Sequence, residues 1–551
     1  MSKIRVFALG GLNENGKNMY VVEVGSKIFV FDAGLKYDND NNLGIDYIIP
    51  NISYLIKNKK NIVGIFLTHG HESNMGAMPD IMKMLPNVPV YGTRLTLEIL
   101  KEDLDSKTLK NSKLVLIEKE KEIKFGDESI LPLSVTHSIP DAVMYVLKTK
   151  DGSIVYTGDY VFDMSVPDIY KTDLGALADV GKKGVLLLMS ESIYAEKRGH
   201  TSPQNRVEDF IRDVFRKSDG RIIATIFPAH FYRIQEIFNE AMKTNKKIVI
   251  MGKKLQTTIF NAIKAGYLTV DRKFIGSLDN LNDKNAIILI SDAKERPFAN
   301  LERIIKGYDK FITINEDDTI FITEPSYAGI EKKIAEVMDE VAIKGADAIS
   351  LSPKTHLLFH SSREDLMQMI ELMHPKYYMP VKGEYKALYE NALVAESYGI
   401  NKDNIILKLN GDVAEFEDGT YNKDCFDKVE VGDTLFDGKN IEDMSSLVLK
   451  DREMIGENGI VIIAATLDKK TKEIIGGPEI LTRGFIYVRN NQALLEEATK
   501  MSKETIESNI VKGEARVDYT KIKNDVRDKL GKFFFDKTGS KPMIITVIQE
   551  V

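Results

Sequence analysis

The chain has 551 residues, more than one hydrophobic core ordinarily serves, so several domains are expected. With 43% hydrophobic and 28% charged residues it reads as an ordinary globular protein, and no apolar run approaches the roughly 18 residues of a membrane span. A formal charge of −7 argues only weakly against a nucleic-acid partner, because Lys and Arg can line one channel.

The opening MSKIRVFALGG has no long apolar core or small-residue cleavage site, so it reads as a first strand rather than a secretory signal. Short runs rich in Val, Ile and Phe follow: MYVVEV, KIFVFDAG, NIVGIFLTHGH and VPVYG. Turn signals separate several of them, and a helical stretch spans Ala77 to Leu85, a rhythm that indicates an α/β protein. From about Pro203 the units change. VEDFIRDVFRK leads to GRIIATIF, FYRIQEIFNEAMKT to KKIVIMG, and TTIFNAIKAGYL to NAIILIS, the pattern of a separate doubly wound layer. Strand-end polar residues return between Pro353 and Tyr385, which suggests that the chain rejoins its first domain. After Asp451 a smaller unit is expected: strands GIVIIAATLD and GFIYV, a helix over Gln492 to Asn509, a second helix and a final strand MIITVIQ. One cysteine, Cys425, excludes an intramolecular disulfide and fits a reducing compartment, so the cytoplasm is the expected location.

Chemistry-bearing residues gather where strands end: Asp32, then His69 and His71, then His137, then Asp159. Imidazole nitrogen is the commonest protein donor to zinc, and two histidines two residues apart can face one ion where a loop turns. Each residue alone has a bland reading, as a loop histidine or a satisfied polar group at a strand end. Together, His69, His71, His137 and Asp159 could fill one coordination sphere.

The HxH loop, the later strand-end His137 and the TGD of Asp159 resemble the metallo-β-lactamase superfamily. Its pattern is HxHxDH, a distant His, an Asp and a final His. The whole chain is similar to the ribonuclease J family, and within it to the catalytically degenerate second paralogue of Gram-positive bacteria. GGLNENGKNMYVVEV, FDAG, LGIDYIIP and THSIPDA are close to its signatures. MSESIYAEKRGHTSP resembles the opening of the inserted β-CASP domain, PVKGEY the motif of the last metal ligand, and GGPEILTRGFIYVR the C-terminal domain. The resemblance implies a metallo-β-lactamase αββα sandwich with an inserted β-CASP α/β domain and a small α+β C-terminal domain. The expected spans are 1–203 and 353–440 for the two parts of the sandwich, 204–352 for the insertion, 441–450 for a linker and 451–551 for the last domain.

The departures from the family pattern concentrate at the second metal. Ser73 and Asn74 stand where the family has Asp and His, and Lys382 stands where it has the final His. The first ion's set, His69, His71, His137 and the bridging Asp159, is intact. One zinc or manganese ion, or none, is therefore expected, with the second site absent. Two-metal hydrolysis stabilises attacking and leaving oxygens with paired cations about 3.5–4 Å apart, and here one of the pair is missing. The Lys382 ammonium is expected near the second position, paired with Asp159, supplying charge without Lewis acidity. Asp159 and His360 are the residues expected to carry any catalysis.

The family's phosphate-seating His-x-Ser-Gly-His turn corresponds here to His356, Leu357, Leu358, Phe359 and His360, the expected substrate-binding segment. Phe359 in place of Gly blocks close backbone approach to an anion, so recognition of a 5′-phosphate should be weakened. Glu191 replaces a family Asp, and SDAKERPFANLERI replaces a Gly-rich segment. The resemblance implies an RNA-processing and decay protein that acts mainly as an RNA-binding or assembly subunit with an active ribonuclease J paralogue, in a homodimer or hetero-oligomer and without a membrane. The alternative is a slow 5′→3′ exo- or endoribonuclease using one ion. A small-metabolite hydrolase is more remote, because such enzymes need neither the insertion nor the long C-terminal region.

Overall fold

The computed structural model describes residues 3–37, 45–291, 298–327, 330–436, 446–486, 491–510 and 517–551. Of the segments singled out above, residues 43–44 of LGIDYIIP, 292–297 of SDAKERPFANLERI, 441–445 of the expected linker and 487–489 of GGPEILTRGFIYVR lie outside them.

Eight strands form a first sheet, in the spatial order Thr420–Tyr421, Ala414–Glu417, Lys3–Gly10, Met19–Val24, Lys27–Phe31, Ile62–Phe66, Pro89–Gly92 and Lys113–Leu116. Six form a second: Tyr377–Pro380, Val185–Ser190, Gly152–Tyr156, Val143–Thr149, Glu128–Ser134 and Ile123–Phe125. Continuous apolar runs such as Met19–Val24 are buried along their whole length, as strands covered on both faces must be. Between the sheets, Phe31 and Phe66 meet Tyr145 across ring separations of 5.8 and 5.7 Å. The outer face of the second sheet packs on helices Leu174–Lys183 and Arg363–Met373 through Leu177, Leu366 and Met369. Tyr377–Pro380 pairs in parallel with Val185–Ser190 across about 190 residues of intervening chain, so the chain does return to its first sheets.

The intervening segment builds its own five-stranded parallel sheet, ordered Lys247–Ile250, Ala286–Ile290, Ile222–Thr225, Thr319–Ile322 and Asp347–Ser350. Helices Phe231–Lys243, Lys253–Ala265 and Glu331–Ile343 make its crossovers. The expected α/β architecture, a metallo-β-lactamase sandwich with an inserted β-CASP domain, is the observed one.

Residues Met1–Asp40 and Tyr47–Thr434 make up one compact unit, and Asn41–Asp46 with Leu435–Val551 the other. In the second unit, Val461, Ile463, Ala465 and Leu467 alternate inward from strand Ile460–Leu467. They pack against Ile506, Val526 and Leu530 of helices Gln492–Ser508 and Tyr519–Thr538. A strand spans Ile474–Arg483 and Gly484 follows it at φ 67°; residues 487–488 of the strand expected at GFIYV lie outside the described residues. Among the described residues no helix is long and apolar enough to cross a membrane.

Candidate metal centre

The loop after strand Ile62–Phe66 carries Thr68, His69 and His71 and leads into the short helix Glu72–Met75. Its turn is stapled by backbone bonds: Ala33 N donates to Asn74 O at 2.6 Å, Leu35 N to Glu72 O at 2.9 Å and Asn18 N to Ser73 O at 3.1 Å. Gly34 makes this closeness possible, because a Cβ there would stand 1.7 Å from Ser73 O. The loop keeps this shape with Ser73 and Asn74 standing where the family pattern has Asp and His.

His69, His71, His137 and Asp159 each offer a ligand atom within 4.8 Å of the others. Nε2 of His137 lies 3.1 Å from Nδ1 of His71, and Oδ2 of Asp159 lies 3.5 Å from Nε2 of His69 and 3.8 Å from Nε2 of His137. Donors around a tetrahedral zinc at its usual bond lengths sit about 3.3 Å apart, so the spacing fits one ion. The proton positions fit as well. Thr68 Oγ1 gives its one hydrogen to Asp32 and so accepts from His69 Nδ1, 2.9 Å away. That fixes the tautomer and leaves the Nε2 lone pair facing the centre, where it has no hydrogen-bond partner among the described residues. Burial, then the neighbouring imidazoles, lower His69 and His137 well below the usual histidine range, so both are neutral donors at neutral pH.

Lys382 and Asn74 fill the adjoining position. Lys382 is buried, follows strand Tyr377–Pro380 and adopts φ 57°. Its ammonium pairs with Asp159 Oδ2 and stands 3.4 Å from Asn74 Oδ1. Asn74 receives Ser73 Oγ at 2.7 Å on the same oxygen and donates its Nδ2 to Asp32 Oδ2 at 2.7 Å. The amide therefore links an ammonium on one side to a carboxylate on the other. Asp32 also accepts from Tyr156 OH at 2.8 Å and Thr68 N at 2.8 Å, and burial raises it to about 6. Burial pushes Asp159 the same way, but Lys382 and the surrounding imidazoles outweigh it and hold the carboxyl far below its ordinary value.

Of the expected substrate segment, the structure brings His360 to the centre and leaves His356 away from it. His360 Nδ1 bonds Glu191 Oε2 at 2.8 Å, and its ring lies 5.8 Å from that of His137. Glu191 is oriented in turn by Tyr160 N at 2.8 Å and Ser361 N at 3.2 Å. His356 instead meets Phe210 at 5.2 Å. Leu357 and Phe359 are buried, and Phe359 packs on His230 at 5.6 Å and Tyr232 at 5.0 Å. Leu357 N and His360 N are engaged by Gln204 O and Leu358 O. Sequence reasoning gave no role to the side chains of Thr68 and Asn18, whose signal was a polar residue flanking a strand end; Thr68 reaches Asp32 and Asn18 reaches Ser73, 36 and 55 residues away.

Four family models match: "Metallo-beta-lactamase superfamily" over residues 12–230, "Ribonuclease J, beta-CASP domain" over 219–341, "Zn-dependent metallo-hydrolase RNA specificity domain" over 359–405, and "Ribonuclease J C-terminal domain" over 447–551. The chain is 37% identical to "Ribonuclease J 2" of Staphylococcus aureus strain MRSA252, covering 100% of this chain and 98% of that one. It is 36% identical, with the same coverage, to "Ribonuclease J 2" of Staphylococcus saprophyticus strain ATCC 15305. A crystal structure of a protein of unknown function from Enterococcus faecalis V583 shares the fold, at TM-score 0.53 and 17% identity over 76% of this chain and all of that one. Likeness over the full length, with matched domains from the first sheet to the last strand, makes this chain a member of the ribonuclease J family.

Proposed function

We propose that this chain is an RNA-binding and assembly subunit that works beside an active ribonuclease J paralogue in the cytoplasm, with weak or no nuclease activity of its own. One observation carries the reading: the buried Lys382 ammonium is tied to Asp159 and Asn74, where the family pattern would call for a second cation. Lysine is a charge donor and not a metal ligand at neutral pH, and Ser73 and Asn74 offer only neutral oxygens. The residues present do not fit a second ion. They do fit a first, held by His69, His71, His137 and Asp159, and a zinc or manganese ion bound there supplies Lewis acidity.

Around that ion, the chain's own groups can still bind and orient. Lys382 offsets the charge of Asp159, and Glu191 fixes the imidazole of His360 so that its other nitrogen is free to hold or deliver a proton. The 5′-phosphate seat is poorly provided, since the backbone donors of Leu357 and His360 are already used and the buried Phe359 between them packs on His230 and Tyr232. These features favour retention of RNA over its cleavage. The intact first set and the Glu191–His360 pair support the second reading, a slow single-ion 5′→3′ exo- or endoribonuclease.

The test pairs binding with decay. The purified chain should bind RNA in fluorescence anisotropy, leave a 5′-monophosphorylated oligonucleotide intact, and form a stoichiometric complex with an active paralogue. Cleavage should appear in the Ser73→Asp, Asn74→His, Lys382→His triple variant. Chelator-sensitive cleavage by the native chain alone would establish the second reading instead.

A further inference from the structure

The inserted five-stranded sheet has an unassigned crevice. After strand Ile222–Thr225 the chain crosses to one side of the sheet, through helix Phe231–Lys243 to Lys247–Ile250. After the adjacent strand Thr319–Ile322 it crosses to the other, through helix Glu331–Ile343 to Asp347–Ser350. All neighbouring strands are parallel. The two crossovers leave a gap beyond the carboxyl ends of these strands, the place where open α/β sheets bind ligands.

That gap holds ≈ 520 Å³ of space between atoms, open solvent at its mouth included, and Phe227, Phe298, Ile322, Tyr327 and Ile330 help to wall it. The rings of Phe227 and Tyr327 lie 6.3 Å apart. Among the described residues one charged side chain lines it: Glu324, 6% exposed. Its Oε1 accepts from His230 Nδ1, while its Oε2 is buried with no hydrogen-bond partner among the described residues. A buried acceptor left unpaired is costly, so this oxygen selects for a donor.

We propose that the crevice binds a nucleobase bearing an exocyclic amino group, which donates to Glu324 Oε2 while the ring lies among the apolar walls. Among the described lining residues there is no Lys or Arg, so a phosphate finds no cationic partner among them. An aliphatic ligand would leave the carboxylate oxygen unpaired. Uracil presents carbonyl oxygens on both sides of its N3–H and would set one against the carboxylate. Adenine, cytosine and guanine each offer an amino group instead. The base comes from a free nucleotide or from an RNA strand; only the second source rests on the RNA-binding reading above.

The full chain should be titrated calorimetrically with adenosine, cytidine, guanosine and uridine 5′-monophosphates. Saturable binding of the first three, at least about tenfold tighter than uridine, is expected. In Glu324→Gln the carbonyl oxygen takes over the bond from His230 Nδ1–H and the amide N–H₂ turns into the crevice, which should reverse the preference toward uridine. A merely structural Glu324 would not produce that reversal. Ile330→Trp, which fills the mouth, should abolish binding of all four. A uridine oligonucleotide carrying one internal guanine settles the source: tighter binding than plain oligouridine, lost in Ile330→Trp, assigns the base to a strand, and no difference assigns it to free nucleotide. Absence of saturable mononucleotide binding, or binding indifferent to Glu324→Gln, overturns the proposal. Loss of oligonucleotide affinity with mononucleotide binding intact counts against the RNA-binding subunit and leaves the crevice standing.

Discussion

Lys382 and Asp159 are buried partners of opposite charge, 3% and 1% exposed. Removing one member of such a pair leaves the other charge unpaired, so Lys382→Ala should destabilise the chain by about 3–5 kcal/mol in urea unfolding, and Asp159→Asn with Lys382→Met should recover much of that loss. A surface lysine would give no measurable change. Asp32 makes a second prediction. Its folded value of about 6 lies above the ordinary 3.8, so its stabilising contribution is full below the ordinary value and fades as pH rises through 6. Between pH 7 and pH 5 the native chain should therefore gain about 1 kcal/mol that Asp32→Asn does not. His69 and His137, held below the ordinary 6.5, act in the opposite sense, because their stabilisation is lost as pH falls below that value. They do so in both chains, so the difference between the two pH profiles isolates Asp32.

At the scale of elements, the centre depends on one turn pressed against another. Gly34→Ala would drive a Cβ into Ser73 O, so the melting temperature should fall by several degrees and metal uptake, followed with a zinc indicator, should weaken with it. An unchanged melt would mean that the two turns can separate freely. The strand ends were legible in the sequence because a strand stops where its apolar run stops, and the side chain that follows is exposed to whatever collects there. His69, His71, His137 and Asp159 could be grouped on that basis. The pairing of Asn74 with Asp32 and Lys382 was less legible, since the partners are 42 and 308 residues from it and no periodicity links them. His356 and His360 look equivalent along the chain. In the fold, the buried residues between them turn one imidazole toward Phe210 and the other toward Glu191.

At the scale of the molecule, every residue of the centre and of the nucleobase crevice belongs to the unit that ends at Thr434. A chain stopped after Thr434 should therefore bind metal with the stoichiometry of the full chain, as read by elemental analysis after gel filtration. Loss of the metal from a folded truncation would show that the C-terminal unit contributes to the centre.

The ammonium beside Asp159 is installed by the ribosome and cannot be taken away. No chelator strips it, no competing divalent ion displaces it, and scarcity of zinc or manganese does not empty it. One positive charge of this centre is thus present from the moment the chain folds, insensitive to the cell's metal supply, though without the Lewis acidity of a metal ion.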